Sequence, residues 1–261
     1  MHPLAEKHVR KFILPSIFCP GCGDGTITNC MVQIVDKMGI ENFLFVGGVG
    51  CSGWIPVTLK ADFIHTLHGR APAVGTGLKL AHPDKNVMIF TGDGDCLGIG
   101  GGQFLHAARR NVDLNVIMIN NMVYGMTGGQ AAPTTPHGAI TKTTPYGNVE
   151  DVFDTMALAK AAGATFVARS TTSNPVHLRQ MMEKAILHKG FSFVEVMTQC
   201  PTQAGRNIYG SGDPAFMFNE LKKRAVSDRS KPLDENQFYI GVFHQDDSKP
   251  IFKPVELKEE V

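Results

Sequence analysis

The chain reads as an α/β protein: an open, mostly parallel sheet with helices on both faces, followed by a C-terminal tail. Short apolar runs alternate with stretches of helical period from about residue 26 to residue 197, the order that a parallel sheet with crossover helices demands. The two central apolar runs end abruptly in polar clusters, Gly92-Asp93-Gly94-Asp95 and Asn120-Asn121. In an open parallel sheet such strand ends are neighbours, and ligands bind in the crevice outside them.

Residues 1–15 are an arm ending at Pro15, residues 16–221 the main domain, and residues 222–261 a C-terminal extension. A tight Cys-x-x-Cys turn, Cys19 to Cys22, precedes a helix over 26–38, where Ile27, Met31, Ile34, Val35 and Met38 share one face and Gly39 supplies the stop. A buried strand over 43–46 runs into the glycine-rich Gly47 to Gly53. The polar and aromatic stretch 62–70 leads into a helix over 73–81. A strand over 87–90, a Gly-rich turn, a helix carrying Phe104, Leu105, Ala107 and Ala108, and a strand over 114–119 form the centre. Residues 131–147, rich in Thr, Pro and Gly and without period, form a long loop. Beyond it come a helix over 151–162, a strand over 164–168, a helix over 176–188 with Met181, Met182, Ala185 and Ile186 inward, and a strand over 191–197. From about Lys222 the sequence turns charged and Pro-containing, with one apolar run over 238–243. A tail of that kind wraps the core or a partner.

A net charge of +1 argues against dependence on nucleic-acid or membrane-surface electrostatics. No apolar stretch reaches the roughly eighteen residues of a membrane span, and the charged start of the chain lacks a signal peptide's apolar segment. The expected location is cytoplasmic, where six cysteines serve as metal ligands or core residues rather than as a disulfide framework.

Asp93 offers a hard anionic oxygen, Asn121 a neutral carbonyl oxygen, and the glycines let backbone N–H groups approach a phosphate. A small divalent cation such as Mg²⁺, shared with a diphosphate, wants that set. Cys51 and Cys200 follow strands, so both lie on the same side of the sheet as this site, and Cys19 and Cys22 have ligand spacing. Four thiolates there suit a [4Fe–4S] cluster; ligand count alone also allows zinc. Cys30 and Cys96 read as packing.

Gly92-Asp93-Gly94, then 25 residues, then Asn120-Asn121 resembles the thiamine diphosphate motif of thiamine-dependent enzymes. A longer series resembles, in order and over about residues 12–210, the β subunit of 2-oxoacid:ferredoxin oxidoreductases. It comprises Cys19-Pro20-Gly21-Cys22-Gly23, Gly50-Cys51-Ser52-Gly53, His68-Gly69-Arg70, Gly92-Asp93-Gly94-Asp95 with Asn120-Asn121, Tyr124-Gly125-Met126-Thr127-Gly128-Gly129-Gln130, and Cys200-Pro201. The resemblance implies the pyrophosphate-type domain of the thiamine diphosphate-binding fold. It implies Mg²⁺ on Asp93, Asn121 and the Val123 carbonyl, and a [4Fe–4S] cluster on Cys19, Cys22, Cys51 and Cys200. Gly50, Cys51, Ser52, His68, Gly92, Asp93, Gly94, Asp95, Asn121, Val123, Gly125, Met126 and Thr127 would contact the cofactor. His68 and Arg70 are the candidate catalytic residues, since a bidentate Arg suits a phosphate or carboxylate.

The implied reaction is CoA-acylating oxidative decarboxylation of a 2-oxoacid, with electrons passing singly through the cluster to ferredoxin. The sequence looks most like the 2-oxoglutarate type; pyruvate and branched-chain types are the alternatives. A separate α subunit would supply the pyrimidine-binding domain and its activating Glu, in an αβ or (αβ)2 assembly. One departure is Trp54, where several relatives carry Lys or Arg. A zinc-stabilised subunit without redox function and a thiamine decarboxylase or synthase half are the competing readings.

Overall fold

The computed structural model of the chain describes residues 2–253. After the short helix α1 (Pro3–His8), α2 (Gly23–Met38) leads into strand β1 (Phe43–Gly47). The short α3 (Ile55–Thr58) and β2 (Phe63–His65) come next, and α4 (Ala71–Ala81) then returns the chain to β3 (Asn86–Gly92). A wide π-type turn, Gly94–Ile99, opens α5 (Gly101–Arg109), which is followed by β4 (Asn115–Asn120). The small hairpin β5 (Val123–Tyr124) and β6 (Gln130–Ala131) begins the long loop that ends at α6 (Thr155–Ala162). Then come β7 (Phe166–Thr171), α7 (Pro175–Leu187) and β8 (Ser192–Met197). A second wide turn, Pro201–Gly205, leads to α8 (Pro214–Arg224), and the described chain closes with β9 (Ala225–Val226), β10 (Phe238–Tyr239) and β11 (Gly241–Gln245).

The main sheet has the order β11-β7-β8-β4-β3-β1-β2. Every pairing in it is parallel except β11 on β7. Successive strand side chains point to opposite faces, and the two cores divide accordingly. Phe45, Met88, Ile117 and Val194 meet α2 and α7 on one side, while Val46, Ile89, Met118 and Phe193 meet α4, α5 and α6 on the other. No helix among the described residues is long and apolar enough to cross a membrane.

The expected elements recur with several displacements. The helix expected over 151–162 starts at Thr155, because the Asp154 carboxylate accepts hydrogen bonds from the Met156 and Ala157 N–H groups and fixes the first turn there. The strand expected over 164–168 runs from Phe166 to Thr171, and the stretch 62–70 hides the edge strand β2. The boundary expected between residues 221 and 222 falls inside α8. The segment beyond it supplies β11 to the main sheet, with Arg169 stacking on Phe243 from the neighbouring strand. Met1 of the expected arm and residues 254–261 of the expected extension lie outside the described residues.

Phe104 on α5 is fully buried, with Phe191 and Phe193 at ring-centroid distances of 5.6 and 5.2 Å in edge-to-face geometry. Phe104→Ala removes a large side chain from a close-packed site at the amino-terminal end of β8, the end opposite the cleft. The expected cost is about 3–5 kcal/mol of stability, read as a lowered midpoint in chemical denaturation.

Candidate active site

Strand order reverses between β1 and β3: the chain steps outward from β1 to β2, then continues through β3 and β4 in the opposite direction. A crevice opens at that switch point, beyond the carboxyl ends of the strands. Its walls carry every residue of the expected cofactor set, from Gly50, Cys51 and Ser52 after β1, through His68 and Gly92 to Asp95, to Asn121, Val123 and Gly125 to Thr127. Val49, Ile119 and Tyr124 complete the lining. Gly50 holds φ at +121°, which L side chains rarely adopt, and so turns the chain from β1 along the cleft.

Asp93, one residue past β3, is only 2% exposed. The Thr134 hydroxyl donates to its Oδ2, and no cationic side chain among the described residues bridges to it. Burial pushes its carboxyl up to about 7; the Thr134 hydrogen bond and nearby backbone N–H groups partly offset that rise. Asn121 and Val123 lie on a turn built around Met122, whose φ is +66°. Asn120 secures the turn: its Oδ1 accepts from the Met122 N–H at 3.1 Å and its Nδ2 donates to Glu195 Oε1 at 2.8 Å. Glu195, 1% exposed, is held in turn by Arg169 Nε at 2.5 Å. The Thr135 hydroxyl donates to the Met122 carbonyl at 2.5 Å. A desolvated carboxylate without a counter-charge, an amide side chain and a backbone carbonyl on one braced turn form a hard-oxygen donor set that fits a small divalent cation.

Two expected roles change. Asp95 lines the cleft, yet its carboxylate is engaged by the protein: Oδ1 meets His68 Nδ1 at 2.5 Å and accepts from the Gly69 N–H at 2.7 Å, and Oδ2 accepts from the Thr91 hydroxyl at 2.5 Å. It therefore anchors His68 from within the cleft wall. Arg70, expected in the site, lines neither the cleft nor the cavity beside it. It precedes α4, and its guanidinium reaches 3.5 Å from the Ile99 carbonyl instead.

Cys19, Cys22, Cys51 and Cys200 line one cavity of about 470 Å³. It shares Cys51, Asn121, Gly125 and Met126 with the cofactor cleft. Trp54 forms part of the same wall. Among the described residues no three His, Cys, Asp or Glu side chains gather closely enough to hold a single metal ion, so the four thiols surround a space rather than a point. Burial raises the thiol pKa values of Cys22, Cys51 and Cys200, and the negative charge of Asp24 adds to each. Backbone N–H groups of Ala204 and Gln203 donate toward Cys200 and act in the opposite sense. Asp24 Oδ1 and Thr198 Oγ1, both buried, have no hydrogen-bond partner, and both residues line this cavity. The four thiols and the size of the space fit a polynuclear iron–sulfur group, and the unpartnered Thr198 hydroxyl is a donor beside it. Cys30 and Cys96 are buried in the two cores, on opposite sides of the sheet.

Sequence reading quoted Asn120 and Tyr124 within motifs but gave them no role, and it missed Thr134, Thr135, Glu195, Asp24 and Thr198. Asp24 had a legible signal, an acid two residues beyond a Cys-x-x-Cys; a lone Glu in an apolar strand was a second, at Glu195. Thr134 had none, since nothing local says which hydroxyl of a Thr-rich loop folds back onto Asp93.

The two buried carboxyls give a pH signature. Both titrate above the ordinary value of 3.8, Asp24 at about 6 and Asp93 at about 7, chiefly through desolvation. The folded chain therefore binds more protons than the unfolded chain between those values, and stability falls as pH rises. In the cation-free, cluster-free chain the loss begins above about pH 4 and is complete just above pH 7. Denaturation midpoints at a series of pH values should follow this slope, and Asp93→Asn should remove its upper part while stabilising the chain at pH 8.

Residues 48–196 match the family described as thiamine pyrophosphate enzyme, C-terminal TPP binding domain. The chain is 47% identical over 260 residues to the 2-oxoglutarate synthase subunit KorB of Methanocaldococcus jannaschii, covering 97% of this chain and 95% of that one. It is 46% identical over 252 residues to the subunit of the same name from Archaeoglobus fulgidus, with 95% and 92% covered. Against the 2-oxoacid:ferredoxin oxidoreductase subunit beta of a Sulfolobus species it is 40% identical over 257 residues, with 90% and 84% covered. Among solved structures, the 2-oxoglutarate:ferredoxin oxidoreductase from Magnetococcus marinus with 2-oxoglutarate, coenzyme A and succinyl-CoA bound superposes with a TM-score of 0.84 at 29% identity, covering 95% of this chain and 86% of that chain. With near full-length identity to these subunits and a switch-point cleft on the matching fold, the chain belongs to the β subunits of the 2-oxoacid:ferredoxin oxidoreductases.

Proposed function

We propose that this chain is the cofactor-binding β subunit of a CoA-acylating 2-oxoglutarate:ferredoxin oxidoreductase, holding thiamine diphosphate and Mg²⁺ in the switch-point cleft and a [4Fe–4S] cluster on Cys19, Cys22, Cys51 and Cys200. One observation carries the reading: the four cysteines line a cavity that shares Cys51, Asn121, Gly125 and Met126 with the cleft. Bound there, thiamine diphosphate would supply the carbanion that adds to the 2-oxoacid, and the cluster would accept the resulting electrons one at a time.

This chain's own residues do the positioning. Asp93, Asn121 and the Val123 carbonyl hold the cation, and the Asn120–Glu195–Arg169 chain braces their turn. The Thr127 hydroxyl, on an exposed residue of the cleft wall, donates to Gln130 Oε1 at 2.8 Å and would exchange that partner for a phosphate oxygen. Asp95 orients His68 through Nδ1, which leaves Nε2 as the nitrogen that exchanges a proton or hydrogen bond with substrate. The acidic residues lining the two cavities are Asp24, Asp93 and Asp95, and none is assigned to the aminopyrimidine. The proposal gives that task to a Glu of the α subunit. With Trp54 on the cavity wall and Arg70 outside it, a basic group of the same partner binds the distal carboxylate of 2-oxoglutarate. The assembly, αβ or (αβ)2, works in the cytoplasm with CoA and ferredoxin as co-substrates.

Anaerobic co-purification with the α partner, followed by iron and sulfide analysis and EPR, tests the assignment. The expected result is about four iron and four sulfide per β chain and a substrate-induced signal stronger with 2-oxoglutarate than with pyruvate or a branched-chain 2-oxoacid. Zinc in place of iron, or iron that responds to no 2-oxoacid, would overturn it. Asp93→Ala should abolish turnover and thiamine diphosphate retention while the iron content stays at the wild-type level. Loss of iron in step with the cofactor would contradict the separation of the two sites.

A further inference from the structure

Thr198 stands immediately past β8, two residues before Cys200. Its backbone is fixed, the N–H donating to the Asn120 carbonyl at 3.0 Å, so the direction of its side chain is set by the sheet. The hydroxyl is buried, the residue 3% exposed, and without a hydrogen-bond partner. Neighbouring threonines behave differently: Thr171 pairs with Ser173, and Thr172 donates to Gln199. Room for the Thr198 hydroxyl is kept by Gly23, where an added Cβ would lie 1.7 Å from Oγ1. Gly23 follows Cys22 directly, so the buried hydroxyl sits against the Cys-x-x-Cys turn, while Thr198 as a residue lines the cysteine cavity.

A buried hydroxyl left unpaired costs about as much as a lost hydrogen bond, and it persists where something outside the chain satisfies it. The cavity it lines is the one assigned to sulfur chemistry, and anionic sulfur accepts hydrogen bonds. Resting on the cluster reading above, we infer that Thr198 is a tuning residue: its hydroxyl donates to a sulfur of the cluster or of a cysteine ligand and raises the cluster's reduction potential. The sign follows from charge. The reduced cluster carries one more negative charge than the oxidised cluster, so a donor stabilises it more.

The test is a potentiometric EPR titration of the anaerobic αβ complex, with iron and sulfide measured on every sample. Thr198→Val and Thr198→Ala should keep wild-type iron while lowering the midpoint, so that at a fixed potential the ratio of reduced to oxidised cluster falls on the order of fivefold, the size of one ordinary hydrogen bond. Thr198→Ser, which keeps the hydroxyl, should restore the wild-type midpoint. Unchanged midpoints in both the Val and Ala chains, with full iron, would overturn the inference and leave the cluster intact. A wild-type complex without iron would instead overturn the cluster reading itself, and the metal analysis separates the two.

Discussion

The candidate site depends on the register of the central parallel strands. Gly47 pairs with Phe90, Gly92 with Ile119, and Ile119 with Val196, so β1, β3, β4 and β8 end within a residue or two of one another. Residues just past those pairs, Gly50 and Cys51, Asp93, Asn121, and Cys200, then emerge along one edge. A slip of one residue in β4 would exchange its two faces, swapping Ile117 and Met118 between the cores and withdrawing Asn120 from Glu195. Packing on both faces thus holds the chemistry in place.

Electrostatics runs against that packing at two points. Asp93, Asp24 and Glu195 are all buried acids, but only Glu195 has a cationic partner among the described residues. A fold selected for stability alone would not leave two carboxylates desolvated and unpaired at strand and helix ends. At Asp93 a bound cation would supply the missing partner, and such local violations are expected at binding sites. The wide turns after Asp93 and Cys200 belong to the same pattern, since π-type geometry recurs at functional positions.

Much of this was legible in the residues. Buried strands announce themselves by short apolar runs, and the helices α2 and α7 by one apolar face each, so the sheet and its layers could be read before the structure. The cleft was legible because its motifs are local: each cluster follows its own strand. What could not be read involves partners distant in sequence. Thr134 reaches Asp93 across 41 residues by way of the β5–β6 hairpin, and Asn120 meets Glu195 across 75. β2 has only three residues, too few to show a period, and β11 is half-exposed at an edge, where hydrophobic patterning is weak. Arg70 was misplaced for a related reason: a motif gives its position along the chain, whereas the start of α4 decides which way it points.

The wall shared by the two cavities has a consequence for divergence within the family. Asn121, Gly125 and Met126 face the thiamine-type cleft on one side and the cysteine cavity on the other. On the proposed assignment a substitution in this loop would be screened twice, once for carbon chemistry and once for electron transfer, and would survive only if both tolerated it. A substrate-facing surface on the proposed partner would be under no such double constraint. New substrate preferences would then arise mainly in that partner, while this subunit changed slowly as a common engine coupled to varied front ends.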